Sequence, residues 1–103
     1  MIYAIEAEIS IDELLAVDYV VGAQIMEVDG AVIVALKTKP IYLASERRRI
    51  KEEVALIARS DTQNEVFVTF DLDIYIKLKN LNQDDLKAKQ ALYEAVKARS
   101  GSG

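Results

Sequence analysis

The sequence contains no cysteine and no histidine, and these two absences remove the commonest catalytic and metal-binding chemistries. Without cysteine there is no disulfide framework, thiolate zinc site, iron–sulfur cluster or thiol nucleophile. Without histidine, acid–base catalysis near neutral pH would require carboxylates, lysines or tyrosines with strongly shifted pKa values. We therefore expect a protein that is not an enzyme and carries no cofactor.

Glycine is also scarce: the chain has four, and two of them lie in its last three residues. Neither GxGxxG nor GxxxxGK occurs, so no glycine-rich phosphate cradle is predicted. The formal net charge is -4, which provides no general attraction to phosphate backbones, and no nucleic-acid partner is predicted. Because no apolar run reaches membrane-spanning length, membrane insertion is not predicted either.

What the chain does have is enough apolar material for one core. Hydrophobic residues make up 51% of its 103 residues, which suits one compact domain without staples. We assign residues 1–99 to a single domain. Residues 100–103 read Ser-Gly-Ser-Gly, a flexible linker composition, and are predicted to be an appended tail.

The N-terminal third predicts a strand, a short helix and a hairpin. Residues 2–9 alternate between apolar and polar side chains, the pattern of a half-buried strand. Ser10 and Glu13 have capping-box spacing, which predicts a helix to about Asp18. Its predicted buried residues are Leu14, Leu15 and Val17.

Two β-branched runs, 20–28 and 31–37, flank Asp29-Gly30, a typical type I′ hairpin turn. The second run is apolar on both faces, so we expect it to be central and covered on both sides.

The remaining chain predicts helix, strand and helix. Ile50, Val54 and Ile57 have helical spacing, and Asp61 begins a polar stop. Residues 66–78 alternate as one long strand would, but Asp71 could also cap a helix; we favour a strand to about Phe70 followed by a short helix. A final helix is predicted with Asn82 as N-cap, Leu81 and Leu86 as a hydrophobic staple, and an apolar stripe of Leu86, Tyr93 and Val96.

The element order is β-α-β-β-α-β with added helices. It predicts an α+β fold of the ferredoxin-like split type, a two-layer sandwich with an extra C-terminal helix.

The acidic pairs have structural explanations as caps, dipole partners or solubilising charges. Asp71 and Asp73 form the best metal candidate, because on one strand face they would lie about 7 Å apart and could chelate Mg²⁺ or Ca²⁺. Two acids without a third oxygen ligand make a weak site. A ligand- or metal-binding domain centred on this pair is the alternative interpretation, and no metal site is assigned.

A basic cluster near the start of the central helix is the least explained feature. Arg47, Arg48 and Arg49 oppose the helix dipole by about 0.3–1 kcal/mol each, and Lys51 follows them. One interpretation is a solvated face on which Arg48 meets Glu52 and Arg49 meets Glu53. The other is a patch that binds an anion or another subunit. We assign these four cations as the candidate interaction patch.

From residue 22 to residue 78 the pattern resembles the domain of YhcN/YlaJ-type sporulation lipoproteins of endospore-forming bacteria. The stretches that carry the resemblance are Gly22–Leu36, Arg49–Val54 and Val66–Tyr75. It implies a helix, a strand with Gly-Ala, a hairpin, an amphipathic helix, and a strand leading into an aspartate-containing helix. The family implies no catalytic residues.

Members of that family carry a signal peptide and a lipid-bearing cysteine, and this sequence shows neither. The expected location is the cytoplasm for the chain as written, or the spore or cell envelope if such a leader has been removed. We predict a module that self-associates, as a homo-oligomer, or docks onto a protein partner through a sheet edge or the Arg47–Lys51 face.

Overall fold

The computed structural model describes residues 9–101, with side chains described through residue 98. The predicted strand at residues 2–9 lies outside the described residues, apart from Ile9. The elements are α1 (Ile11–Leu15), β1 (Val20–Val28), β2 (Ala31–Thr38), α2 (Ala44–Asp61), β3 (Glu65–Thr69), α3 (Leu72–Lys79) and α4 (Leu86–Gly101). Helix α4 thus continues two residues beyond the predicted domain boundary at residue 99.

The three strands form one sheet in the order β1-β2-β3. Strands β1 and β2 pair antiparallel, and the turn residues Asp29 and Gly30 have φ angles of 49° and 75°, which confirms the predicted hairpin. Strands β2 and β3 pair parallel and are joined by α2. The sheet is therefore mixed.

The α+β class is confirmed, but the described residues do not confirm the split strand order. In a split arrangement another strand lies between the two strands that a crossover helix joins. Here β2 and β3 pair directly, from Ala31 opposite Glu65 to Ala35 opposite Thr69. The ferredoxin-like assignment remains a prediction.

Helices cover both faces of the sheet, so the two-layer prediction is wrong. On one face Val32, Val34 and Leu36 of β2 join a core with residues of α1 and α2. On the other, Ile33 and Ala35 join a second core with residues of α3 and α4. All six residues from Ala31 to Leu36 are at most 1% exposed, which confirms the expectation of a central strand covered on both sides.

Helix α1 begins as predicted and is shorter than predicted. The Ser10 hydroxyl accepts a hydrogen bond from the Glu13 amide at 3.3 Å, as in a capping box. The helix ends at Leu15, which is 40% exposed whereas Leu14 is fully buried. The prediction that both leucines are buried is wrong, because adjacent residues on a helix point in different directions.

The strand-then-helix interpretation of residues 66–78 is confirmed, and the single long strand is wrong. The side chain of Asp71 accepts hydrogen bonds from the amides of Asp73 at 2.8 Å and Ile74 at 3.3 Å, which starts α3. Ile74 and Leu78, four residues apart, are buried, whereas Ile76 is 48% exposed. Only one face of α3 packs on the sheet, as helical periodicity requires.

Helix α4 starts four residues later than its predicted cap. Asn82 instead forms a turn, accepting from the Asp84 amide at 3.0 Å, and Asp85 accepts from the Ala88 amide at 3.1 Å. Leu86 is 68% exposed, so its predicted place in the apolar stripe is wrong. Among its described side chains, Leu92 and Val96 are buried.

Candidate functional site

Because β2 and β3 are parallel, the carboxyl ends of both strands lie at the same end of the sheet. Loop 39–43 follows β2, Phe70 follows β3, and α2 begins at Ala44 beside them. In many α/β proteins ligands bind at the carboxyl ends of the strands, because the loops there diverge and leave a crevice. The crossover thus positions the candidate site.

Two adjoining depressions of about 480 Å³ and 420 Å³ lie at the carboxyl ends of these strands. Tyr42, Arg47 and Phe70 line both of them. We call their combined surface the basic groove, and its charged and aromatic residues are Lys39, Tyr42, Arg47, Arg48, Lys51 and Phe70.

The basic groove has charges of one sign. Four cations line it, and within residues 9–101 its walls contain no Asp or Glu. The whole chain carries a formal net charge of -4, so this concentration of positive charge is local. A concave surface with charges of one sign attracts ligands of the opposite sign.

The amino end of α2 adds to this positive field. Leu43 occupies the N-cap position and makes no side-chain capping hydrogen bond, whereas Ser10 and Asp71 cap α1 and α3. The first amides of an uncapped helix have no intrahelical acceptor and carry the positive end of the helix dipole. Both effects favour a negatively charged ligand.

An aromatic contact positions one of the cations. The Arg47 guanidinium carbon lies 5.8 Å from the centroid of the Phe70 ring, within the range of a cation–π interaction. The neighbouring loop presents Tyr42, which is 90% exposed, and Leu43, which is 63% exposed. The groove therefore combines positive charge with exposed apolar and aromatic surface.

The structure brings together three of the four residues of the candidate interaction patch. Arg47, Arg48 and Lys51 all line the basic groove, and Arg48 forms no ion pair with Glu52 in the described part of the chain. The expectation of an Arg48–Glu52 pair is therefore wrong.

Arg49 does not line the groove and pairs with acidic neighbours on α2. It pairs with Glu46 at 2.7 Å and, as predicted, with Glu53 at 3.1 Å. The hydrogen bond to Glu46 and the negative charge of that carboxylate raise the pKa of Arg49, and the charge of Glu53 acts in the same direction. Because its charge is offset locally, Arg49 does not belong to the groove.

Sequence reasoning missed Lys39, Tyr42 and Phe70. Lys39 and Tyr42 lie in one loop, directly before Pro40 and two residues after it, and Phe70 is about thirty residues further along the chain. A tyrosine in the loop just before a basic helix was the feature of the sequence that could have indicated them. Their meeting depends on the parallel pairing of β2 and β3, which the element pattern alone did not specify.

The metal alternative is not supported by the geometry of Asp71 and Asp73. The two residues straddle the start of α3 instead of lying on one strand face. Asp71 caps the helix, and Asp73 pairs with Lys77 at 3.1 Å. Among the described residues, no group of three or more histidine, cysteine, aspartate or glutamate side chains comes together to hold a metal ion.

Comparison with protein-family models, with curated proteins and with solved structures finds no match. The resemblance to YhcN/YlaJ-type domains therefore stays a prediction. Within the described residues, none of the helices combines the length and apolar character needed to cross a membrane.

Proposed function

We propose that this protein is a non-enzymatic interaction module whose basic groove docks an acidic segment of a protein partner. The observation that carries the proposal is the cluster of four cations with no acidic residue in the walls of the groove among residues 9–101. If the resemblance to sporulation lipoproteins holds, the partner belongs to a spore or envelope assembly.

Exposed apolar surface beside the charges supports a protein ligand. Tyr42 and Leu43 expose large side chains next to the cations, and Ile41 lies beside them, half-buried. Tyrosine and arginine are enriched at protein interfaces because they combine apolar contact area with hydrogen bonding. An acidic peptide with an apolar or aromatic residue would use both features.

The size of the groove disfavours nucleic acid. Its depressions of about 480 Å³ and 420 Å³ fit a few side chains, and the remaining chain is acidic overall. Proteins that bind single strands usually combine an extended basic track with several stacking aromatics. Here Tyr42 is the one largely exposed aromatic side chain of the groove in the described structure, since Phe70 is half-buried beneath Arg47.

The test is binding of a fluorescein-labelled peptide, Glu-Leu-Glu-Glu-Tyr-Glu, followed by fluorescence polarisation. Lys39→Glu with Arg47→Glu reverses two groove charges and should weaken binding about tenfold or more, equivalent to about 1.4 kcal/mol. The matched control is Lys79→Glu with Lys87→Glu, which makes the same change in net charge at exposed positions of α3 and α4. Binding to this control should be nearly unchanged.

Peptide binding measured at low and high salt provides a second test, because the Debye length falls from about 10 Å at 0.1 M to about 3 Å at 1 M. Binding through the basic groove should weaken strongly over this range. Equal loss of binding in the control variant would contradict the proposal. So would tighter binding of single-stranded DNA of matched charge, or of vesicles containing phosphatidylglycerol, than of the acidic peptide.

A further inference from the structure

We propose that the edge of β3 that faces away from β2 pairs antiparallel with β3 of a second copy of this chain, forming a two-fold dimer in which the described strands of both copies join in one sheet. This surface adjoins the basic groove, since Arg48 and Lys51 line both, but the pairing of the strands does not depend on the acidic ligand. In the described structure β3 lies at the end of the sheet order, and no further strand pairs with its outer edge.

The backbone of β3 defines which groups face that edge. The Glu65 amide donates to the Gly30 carbonyl at 3.2 Å, so residues 65, 67 and 69 direct their backbone groups towards β2. Backbone direction alternates along a strand, so the amides and carbonyls of Val66 and Val68 face outwards. A partner strand can therefore hydrogen-bond to both valines.

The sequence of β3 is self-complementary about Phe67. Antiparallel pairing centred on this residue places Val66 opposite Val68 of the second copy, and each such pair exchanges two hydrogen bonds. Phe67 then lies opposite itself, and Glu65 lies opposite Thr69 of the second copy. This register contains no pair of like charges, which would destabilise a cross-strand contact.

A depression beside this edge adds one apolar and one charged contact, and Arg48 and Lys51 also line it. It has a volume of about 510 Å³ and lies between α2 and β3, where Leu56 is 66% exposed. Glu52 and Arg59 flank Leu56 along the same helix, and a two-fold axis makes the two α2 helices antiparallel. Leu56 then meets its counterpart, and Glu52 of one copy faces Arg59 of the other.

The opposite edge of the sheet is less suited to pairing. Strand β1 has an irregularity in its register between Val20 and Gly22, and bulges of this kind twist an edge and hinder its pairing. Strand β3 has a continuous register and lacks proline, and its one charged residue is Glu65 at its first position. These are features of an edge that accepts another strand.

Association should be measured by sedimentation velocity over a concentration series. We expect a dimer that forms between about 10 µM and about 1 mM, because an interface of one short strand and one leucine is small. Leu56→Lys should weaken it at least tenfold by placing like charges near the axis. Leu72→Lys, at a 52% exposed position on α3, is the matched control and should leave association unchanged.

The register is tested by disulfide cross-linking, since these 103 residues include no cysteine. Glu65→Cys with Thr69→Cys should give a covalent dimer under mild oxidation. The two positions within one copy are about 13 Å apart along the strand, too far to bridge. Glu65→Cys alone should not cross-link, because pairing centred on Phe67 keeps the two copies of this position far apart.

Val66→Pro removes one outward amide without removing a bond to β2, and it should also abolish the dimer. If this variant folds poorly, the Leu56→Lys result and the cross-linking result still decide. A strict monomer up to about 1 mM would overturn the proposal. A dimer that survives Leu56→Lys, or that cross-links as readily through Glu65→Cys alone as through the double variant, would overturn it as well.

Discussion

Gly22 on β1 is the position where adding a single methyl group should be most informative. Tyr75 of α3 covers it, and a Cβ atom built on Gly22 would overlap the Tyr75 hydroxyl oxygen. The same Cβ would lie 3.1 Å from Tyr75 Cζ and 3.4 Å from Lys37 Cβ. Gly22 has no positive φ angle, so the requirement for glycine here is one of space.

The expected cost of Gly22→Ala is the difference between two opposing effects. Forcing a methyl group into a packed contact costs about 1–3 kcal/mol, whereas replacing glycine returns about 0.4–1 kcal/mol by restricting the unfolded chain. We expect a net loss of about 1 kcal/mol. Tyr75→Phe removes the overlapping oxygen but keeps Cζ, whose 3.1 Å contact a small shift of the ring can relieve, so in that background Gly22→Ala should be close to neutral. The cycle should therefore show coupling of about 1 kcal/mol.

The assay is urea unfolding followed by circular dichroism, supported by thermal melts. A loss of 1 kcal/mol lowers the melting temperature of a domain of this size by about 4–8 °C. The control is Gly30→Ala, where nothing lies within 4 Å but φ is +75°, so the cost is backbone strain. Tyr75→Phe should not rescue this control. If Gly22→Ala is equally destabilising with and without Tyr75→Phe, the steric explanation is refuted.

Two further changes test local backbone features by the same unfolding assay. Asp71→Ala should lower the free energy of unfolding by about 1 kcal/mol, because it removes the cap of α3. Asp71→Asn keeps a side-chain acceptor and should lose much less stability. Equal losses in the two variants would argue against capping. Tyr19→Gly should raise stability by about 0.5–1 kcal/mol, because this tyrosine has a φ angle of 74°; a loss of stability would show that its side-chain contacts outweigh the strain.

Local features of this fold were predictable because short stretches of sequence determine them. The Asp29-Gly30 turn needs only two residues with positive φ, and both adopt it. Ser10 and Asp71 cap helices through amides two or three residues away. Capping also decided residues 66–78, where the alternation of apolar residues alone favoured a strand.

The sheet order and the layering were not predictable from the same patterns. Direct pairing of Ala31 with Glu65 depends on chain segments more than thirty residues apart, and β-α-β patterns occur in both split and unsplit sheets. The apolar run from Ala31 to Leu36 did indicate coverage of both faces. This run was a better guide to the layering than the element order, because a two-layer sandwich leaves one face of its sheet uncovered.

The part of the candidate site that lies on helix α2 could be predicted from the sequence. Charge and spacing predict Arg47, Arg48 and Lys51, but the same pattern also includes Arg49, which pairs with Glu46 on the preceding turn. Loop residues that approach the helix through the parallel sheet could not be assigned to it. Sequence spacing along one helix therefore identified the charges but not the groove.

The helices in the described part of the chain differ in how their amino ends are capped. Ser10 and Asp71 supply acceptors to α1 and α3 from within the chain, whereas Leu43 supplies none to α2. The carboxylate in the first turn of α2, Glu46, pairs with Arg49, and Arg47 lies beside it near the positive end of the helix dipole. A carboxylate from a partner would accept from the free amides and lie beside the cations at the same time. An acidic ligand would thus complete this helix end, which gives the basic groove a physical reason to bind one.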